Sequence, residues 1–147
     1  MNDATLSTPQ HLLAAYTAAV LARDVDAFVQ LYDDEVQVFD TWGTWSYEGK
    51  TAWRPMIEGW FGSLGDERLQ VDFREVKVTA AGDFAGLRAT VVYTAVSAQG
   101  QNLRAMHNRL TWLLQRRGAA WSVLHEHTSV PVGFDDMKAI LQRPGAF

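Results

Sequence analysis

Apolar residues recur at helical spacing three times before residue 65, and the remainder of the chain then changes to alternation. Thr8-Pro9 reads as a helix start, because Thr8 can cap and proline suits the first helical position. Leu12, Leu13, Tyr16 and Val20 follow on one stripe. Asp24 caps a second, shorter helix whose apolar side is Val25, Phe28, Leu31 and Tyr32, with Asp33-Asp34-Glu35 ending it. An alternating strand begins at Val36. Thr51 starts a third helix, in which Trp53, Met56, Ile57, Trp60, Phe61 and Leu64 give the clearest periodicity in the chain. Gly62 and Gly65 close it. Strands are then expected over 69–80, 84–98, 103–115 and 120–131, separated by turns at Ala81-Gly82-Asp83, Gln99-Gly100-Gln101 and Arg116-Arg117-Gly118. The tail over 134–142 reads as a short helix capped by Asp135 and stopped by Pro144-Gly145.

Long strands joined by such short turns pair antiparallel. Three helices followed by a meandering sheet predict an α+β fold: helices packed into a strongly curved, mostly antiparallel sheet. That arrangement is a cone with one open end, and the mouth is where a ligand is expected. No repeat or linker divides the 147 residues, so 1–147 reads as one domain.

Composition narrows the function classes. Forty-eight per cent of residues are apolar, and six Trp, seven Phe and four Tyr suffice to build a core and also line a cavity. The net charge of −4, with basic residues scattered singly or in pairs, argues against nucleic acid as partner. No apolar run is long enough for a membrane span. The polar N-terminus is unlike a signal peptide, and a cytoplasmic location is expected. Zero cysteines excludes disulfides, thiolate catalysis and thiolate metal sites.

The chemistry concentrates in VQVFDTWGTWSYEG, residues 36–49. A strand ends there in one carboxylate, Asp40, with Trp42, Trp45 and Tyr47 around it. Desolvation raises a carboxyl pKa, as a general base for carbon acids requires. The alternative is an Asx-turn in which Asp40 merely accepts a backbone N–H. Tyr16 lies on a buried stripe, so its hydroxyl is either bonded in the core or aimed into a cavity. Strand parity puts Met106, Asn108, Leu110, Trp112 and Leu114 on an apolar, inward face, and His107 and Arg109 on the other. In the last strand Trp121, Val123, His125 and His127 share a face, opposite Glu126 and Thr128. His-x-His with His107 invites a metal, but spacing fixes no third ligand. One histidine is expected to be a wall residue and the other a core or interface residue.

Two segments carry a family likeness. Tyr16-x7-Asp24-x-Asp26, continuing through Asp33-Asp34 to V-x-D-x-x-G-[ST] over 38–44, resembles the N-terminal half of bacterial ketosteroid isomerases. Arg109-x-Thr111-x9-Trp121-x-Val123-x-His125-x-His127-x-Ser129-x-Pro131 resembles the SnoaL-like branch, much of which has no assigned reaction. Both belong to the NTF2-like superfamily, whose cone-shaped α+β barrel is the fold implied. The likeness places Asp40 on the isomerase's general base and Tyr16 on its oxyanion tyrosine. Asn108 stands where the isomerase has a protonated aspartic acid; an amide donates a hydrogen bond at every pH. An inward Arg109 would instead suit an anionic ligand.

Two functions follow. In the first, Asp40 removes a proton alpha to a carbonyl of a small, largely apolar, cyclic or polycyclic substrate, with no cofactor. Tyr16, with Asn108 or His125, holds the enolate, and Trp42, Trp45, Trp60, Tyr93 and Met106 supply the walls. The second is a non-catalytic module that binds a hydrophobic ligand or dimerises. On either reading a homodimer is expected through the outer sheet face, where Val92, Leu113 and Leu124 are too apolar to leave open.

Overall fold

The computed structural model describes residues 7–145. Two helices come first: α1 (Pro9–Ala22), capped by Thr8 Oγ1 accepting from His11 N, and α2 (Val25–Val29), capped by Asp24 Oδ1 accepting from Ala27 N at 3.0 Å. Strand β1 (Tyr32–Phe39), the two-residue β2 (Tyr47–Glu48) and α3 (Lys50–Gly62) follow. The four long strands are β3 (Arg68–Ala81), β4 (Phe84–Val96), β5 (Asn102–Arg117) and β6 (Ala120–Ser129). All six strands form one sheet in the order β2-β1-β6-β5-β4-β3, antiparallel except where β1 lies parallel to β6. The sheet is curved, and the helices pack on its inner face. Leu12, Val20, Phe28, Ile57, Leu87, Leu110, Trp112 and Val123 are buried between them. No helix among the described residues is long and apolar enough to cross a membrane.

Three sequence expectations are corrected. Tyr32 and Asp33-Asp34-Glu35 do not end a helix; they open β1. Val123 N donates to Leu31 O at 2.9 Å and Tyr32 pairs with Val123, so the sheet claims the chain before the helix completes a second turn. The tail helix over 134–142 does not form either. Beyond Ser129 the first half of β5 has lost β6 as its neighbour, and the tail takes that place. His107 N donates to Leu141 O (2.7 Å) and Gln142 Nε2 to Ala105 O (3.1 Å), which satisfies strand groups a helix would leave open.

The third correction shapes the site. Leu113 pairs with His125, but Leu114 pairs with Val123, leaving Leu124 as an extra residue in β6. A one-residue bulge reverses the inward and outward assignment of everything beyond it. Trp121 and Val123 face the core as expected; after the bulge Glu126 and Thr128 face inward, and His125 and His127 outward.

Candidate functional site

A cavity of about 880 Å³ opens between the helices, the inner sheet face and the tail. Helix α1 brings Tyr16 to its wall, α3 brings Trp53, Met56 and Trp60, and β4 brings Tyr93. Strand β5 contributes Met106 and Asn108, β6 contributes Glu126 and Thr128, and Asp40 lies at the end of β1. Ile140, Leu141 and Gln142 of the tail complete the rim.

Asp40 is half-buried and held from two sides. Thr128 Oγ1 donates to its Oδ1 at 3.0 Å, and Trp42 N donates to Oδ2 at 3.2 Å. The Asx-turn and the cavity-facing carboxyl are thus one arrangement and not alternatives. Burial raises the carboxyl pKa, and the bonds from Thr128, Trp42 N and Thr41 N only partly oppose it. Thr128 Oγ1 itself accepts from Thr41 N (2.9 Å) and Thr41 Oγ1 (3.0 Å), which occupies the lone pairs it turns from Asp40.

The Tyr16 and Tyr93 hydroxyls meet at 2.9 Å, a helix residue reaching a strand residue across the fold. Burial, and then each other's proximity, pushes the Tyr16 phenol well above its ordinary range; burial does the same for Tyr93, opposed by Tyr16 and the Asn108 side chain. Both are neutral donors. Since one donates to the other, the pair retains one hydroxyl hydrogen for a ligand. Asn108 is 7% exposed and faces inward beside Tyr93, and its Oδ1 has no partner among the described residues.

Glu126, at 2% exposure, is the residue that strand parity hides. The Tyr32 hydroxyl (2.6 Å) and Trp112 Nε1 (2.9 Å) both donate to its Oε1. Burial pushes its pKa up to about 7, with the charge of Asp40 adding to the rise. The adjacent apolar pair Val123-Leu124 breaks the alternation and is the one sequence signal of the bulge.

Of the other expected wall residues, Trp42, Trp60, Tyr93 and Met106 line the cavity. Trp45 does not, being 93% exposed in the loop before β2. Arg109 is on the outer face, where its Nε donates to Ser129 Oγ at 3.1 Å. His125 and His127 are also outside, turned there by the bulge. Their rings pack edge-on against Phe39 at 4.9 and 5.6 Å, and His125 Nδ1 lies 2.8 Å from Gln37 O. Among the described residues no three His, Asp or Glu side chains gather as a metal site.

The model of the family described as SnoaL-like domain matches residues 10–133. No curated protein matches the chain significantly. Among solved structures, an NTF2-like protein of unknown function from Pseudomonas putida KT2440 is 26% identical. It superposes with a TM-score of 0.80, over 98% of this chain and 99% of that one. Aln2 from a Streptomyces species is similar at the level of fold, with 14% identity, a TM-score of 0.72 and coverage of 84% and 93%. A protein of unknown function with a cystatin-like fold from Nostoc punctiforme is likewise similar in fold. Its identity is 15%, its TM-score 0.68, and coverage is 86% and 90%.

Proposed function

The chain belongs to the SnoaL-like family, within the NTF2-like superfamily, and from that premise we propose that it removes a proton alpha to a carbonyl of an apolar cyclic compound. Asp40 is the base. Tyr16 and Tyr93 together hold the enolate oxygen, through the hydroxyl hydrogen their mutual bond leaves over. Asn108 acts on Tyr93, keeping that phenol the better donor. The observation that carries this reading is that a desolvated carboxyl and a neutral phenol pair line one largely apolar cavity. Its 880 Å³ suits a polycyclic ligand, within the range of small-molecule sites. Trp42, Trp60 and Met106 form the apolar walls.

The test is deuterium uptake at the alpha carbon of a panel of cyclic ketones, followed by NMR across pH. Asp40→Asn is expected to lose about a thousandfold, and Tyr16→Phe about a hundredfold. Equal rates in all three proteins would reduce the cavity to a binding site.

A second copy of the chain is expected on the outer sheet face: Val92 is already covered at 9% exposure, but Leu113 is 41% exposed there, joined by Phe84 at 47%. Light scattering is expected to return a dimer mass; a monomer at micromolar concentration would remove this part.

A further inference from the structure

Proton removal by Asp40 leaves one carboxyl in the cavity unused. We propose that Glu126 is a proton donor on the same wall as Asp40, and that the cavity therefore eliminates water from β-hydroxy cyclic ketones.

Strands β1 and β6 run parallel, with Val38 beside Glu126. Asp40 and Thr128, each two residues on, are joined by a hydrogen bond. Both carboxyls therefore face inward from neighbouring strands, about one diagonal step apart. Both donors that reach Glu126, the Tyr32 hydroxyl and Trp112 Nε1, point at Oε1. With both lone-pair directions of Oε1 occupied, an acid proton on Glu126 resides on Oε2. Oε2 has no protein partner among the described residues, and it is open to the cavity. The arrangement thus holds a carboxylic acid by one oxygen and presents the other, with its proton, to whatever fills the space. Isomerisation by a single base requires no such second acid. Expulsion of hydroxide does, because hydroxide leaves readily only as water.

In the elimination, Asp40 takes the alpha proton, and the C–H electron pair becomes the Cα=Cβ bond. The Cβ–O bond breaks, and the departing oxygen takes the proton of Glu126 Oε2 and leaves as water. The enone remains, with Asp40 protonated and Glu126 ionised; exchange with solvent returns each to its starting state. Tyr16 and Tyr93 hold the carbonyl oxygen throughout. The titrating groups facing Glu126 are Asp40 and Tyr32 from the β1 side, Tyr16 from α1 and Tyr93 from β4. The phenols stay neutral. Charge on Asp40 opposes ionisation of Glu126, so one carboxyl is acid while the other is base.

This inference rests on the proposed role of Asp40, and two assays on the full chain separate the two. Alpha-deuterium exchange of a cyclic ketone reads Asp40 and the hydroxyl pair alone. Loss of water from the matching β-hydroxy ketone, followed by enone absorbance, reads the added step. Glu126→Gln keeps an acceptor for Tyr32 and Trp112 but has no acid proton. With folding checked by its melting temperature at pH 5, it is expected to eliminate about a hundredfold more slowly and without the wild-type pH dependence, which a merely structural loss would not produce. Wild-type elimination is expected to decline as pH rises past about 7, while exchange does not. Elimination by the variant at the wild-type rate overturns the assignment of Glu126 and leaves Asp40 as base. A wild type that exchanges but never eliminates does the same. Absence of exchange in wild type overturns the base reading, and the dehydration with it.

Discussion

Asp40 and Glu126 stand on adjacent parallel strands and look into one cavity, yet the two ends of that wall are built differently. Asp40 sits where β1 gives way to a loop, partly open, with a hydroxyl and backbone N–H groups donating to both of its oxygens. Glu126 sits within a strand among rings, with a phenol and an indole donating to one oxygen only. Polar loop groups favour the charged form of Asp40 against its burial, and the deeper ring-lined position leaves Glu126 nearer its neutral form. Two carboxyls of nearly the same chemistry are thereby given different proton affinities by what surrounds them. The bulge at Leu124 creates the second of these environments. Without it His125 would point inward and Glu126 would lie in solvent.

Stability should register that sorting most strongly. The usual carboxyl value is 4.5, and in the fold Glu126 titrates at about 7. At about 1.36 kcal/mol per unit, the charged form then costs on the order of 3 kcal/mol. A raised folded-state value means the unfolded chain gives up this proton first. The favourable contribution is therefore complete below about pH 4.5 and shrinks as pH climbs. It is gone once pH passes about 7. Glu126→Gln removes the dependence. Between roughly pH 5 and pH 8 the wild-type melting temperature is expected to fall several degrees more than the variant's, at about 2–4 °C per kcal/mol. Parallel melting curves would mean that Glu126 is charged throughout, and that the contrast with Asp40 is one of position alone.

How far the sequence discloses this wall follows from which forces act locally. Helical stripes and alternation are properties of neighbours along the chain, so α1, α3 and the four long strands are legible. Asp40 is legible for the same reason: a lone acid at a strand end among aromatics is a local pattern, and Tyr16 lies on a periodic stripe. Asn108 follows from parity within β5, which is regular through that region. Glu126, His125 and His127 are misread because a single inserted residue leaves only the Val123-Leu124 pair as its trace, yet reverses which side faces in. Tyr32 and the tail are misread because long-range pairing decides them. Leu31 O and the exposed edge of β5 take hydrogen bonds that local propensity does not foresee.

A smaller effect should appear at the other end of the wall. Thr128 Oγ1 donates to Asp40 while accepting from Thr41 N and Thr41 Oγ1, so its hydrogen can point only at the carboxylate. Thr128→Val keeps the shape and removes that donor, and the pKa of Asp40, already raised by burial, should rise further. A hydrogen bond to a charged group contributes about 1.5–3 kcal/mol, so alpha-proton exchange is expected to drop about tenfold on the acid side of the profile. On the alkaline plateau, where Asp40 is ionised in both proteins, the rates should converge or the variant should exceed wild type, since a stronger base remains. A uniform loss at every pH would mean that Thr128 positions the loop and does not tune the acid. Because Thr128 lies on the same inward face as Glu126, the elimination profile of this variant should keep its alkaline limb unmoved. Base and acid would then shift independently, as two separately built environments require.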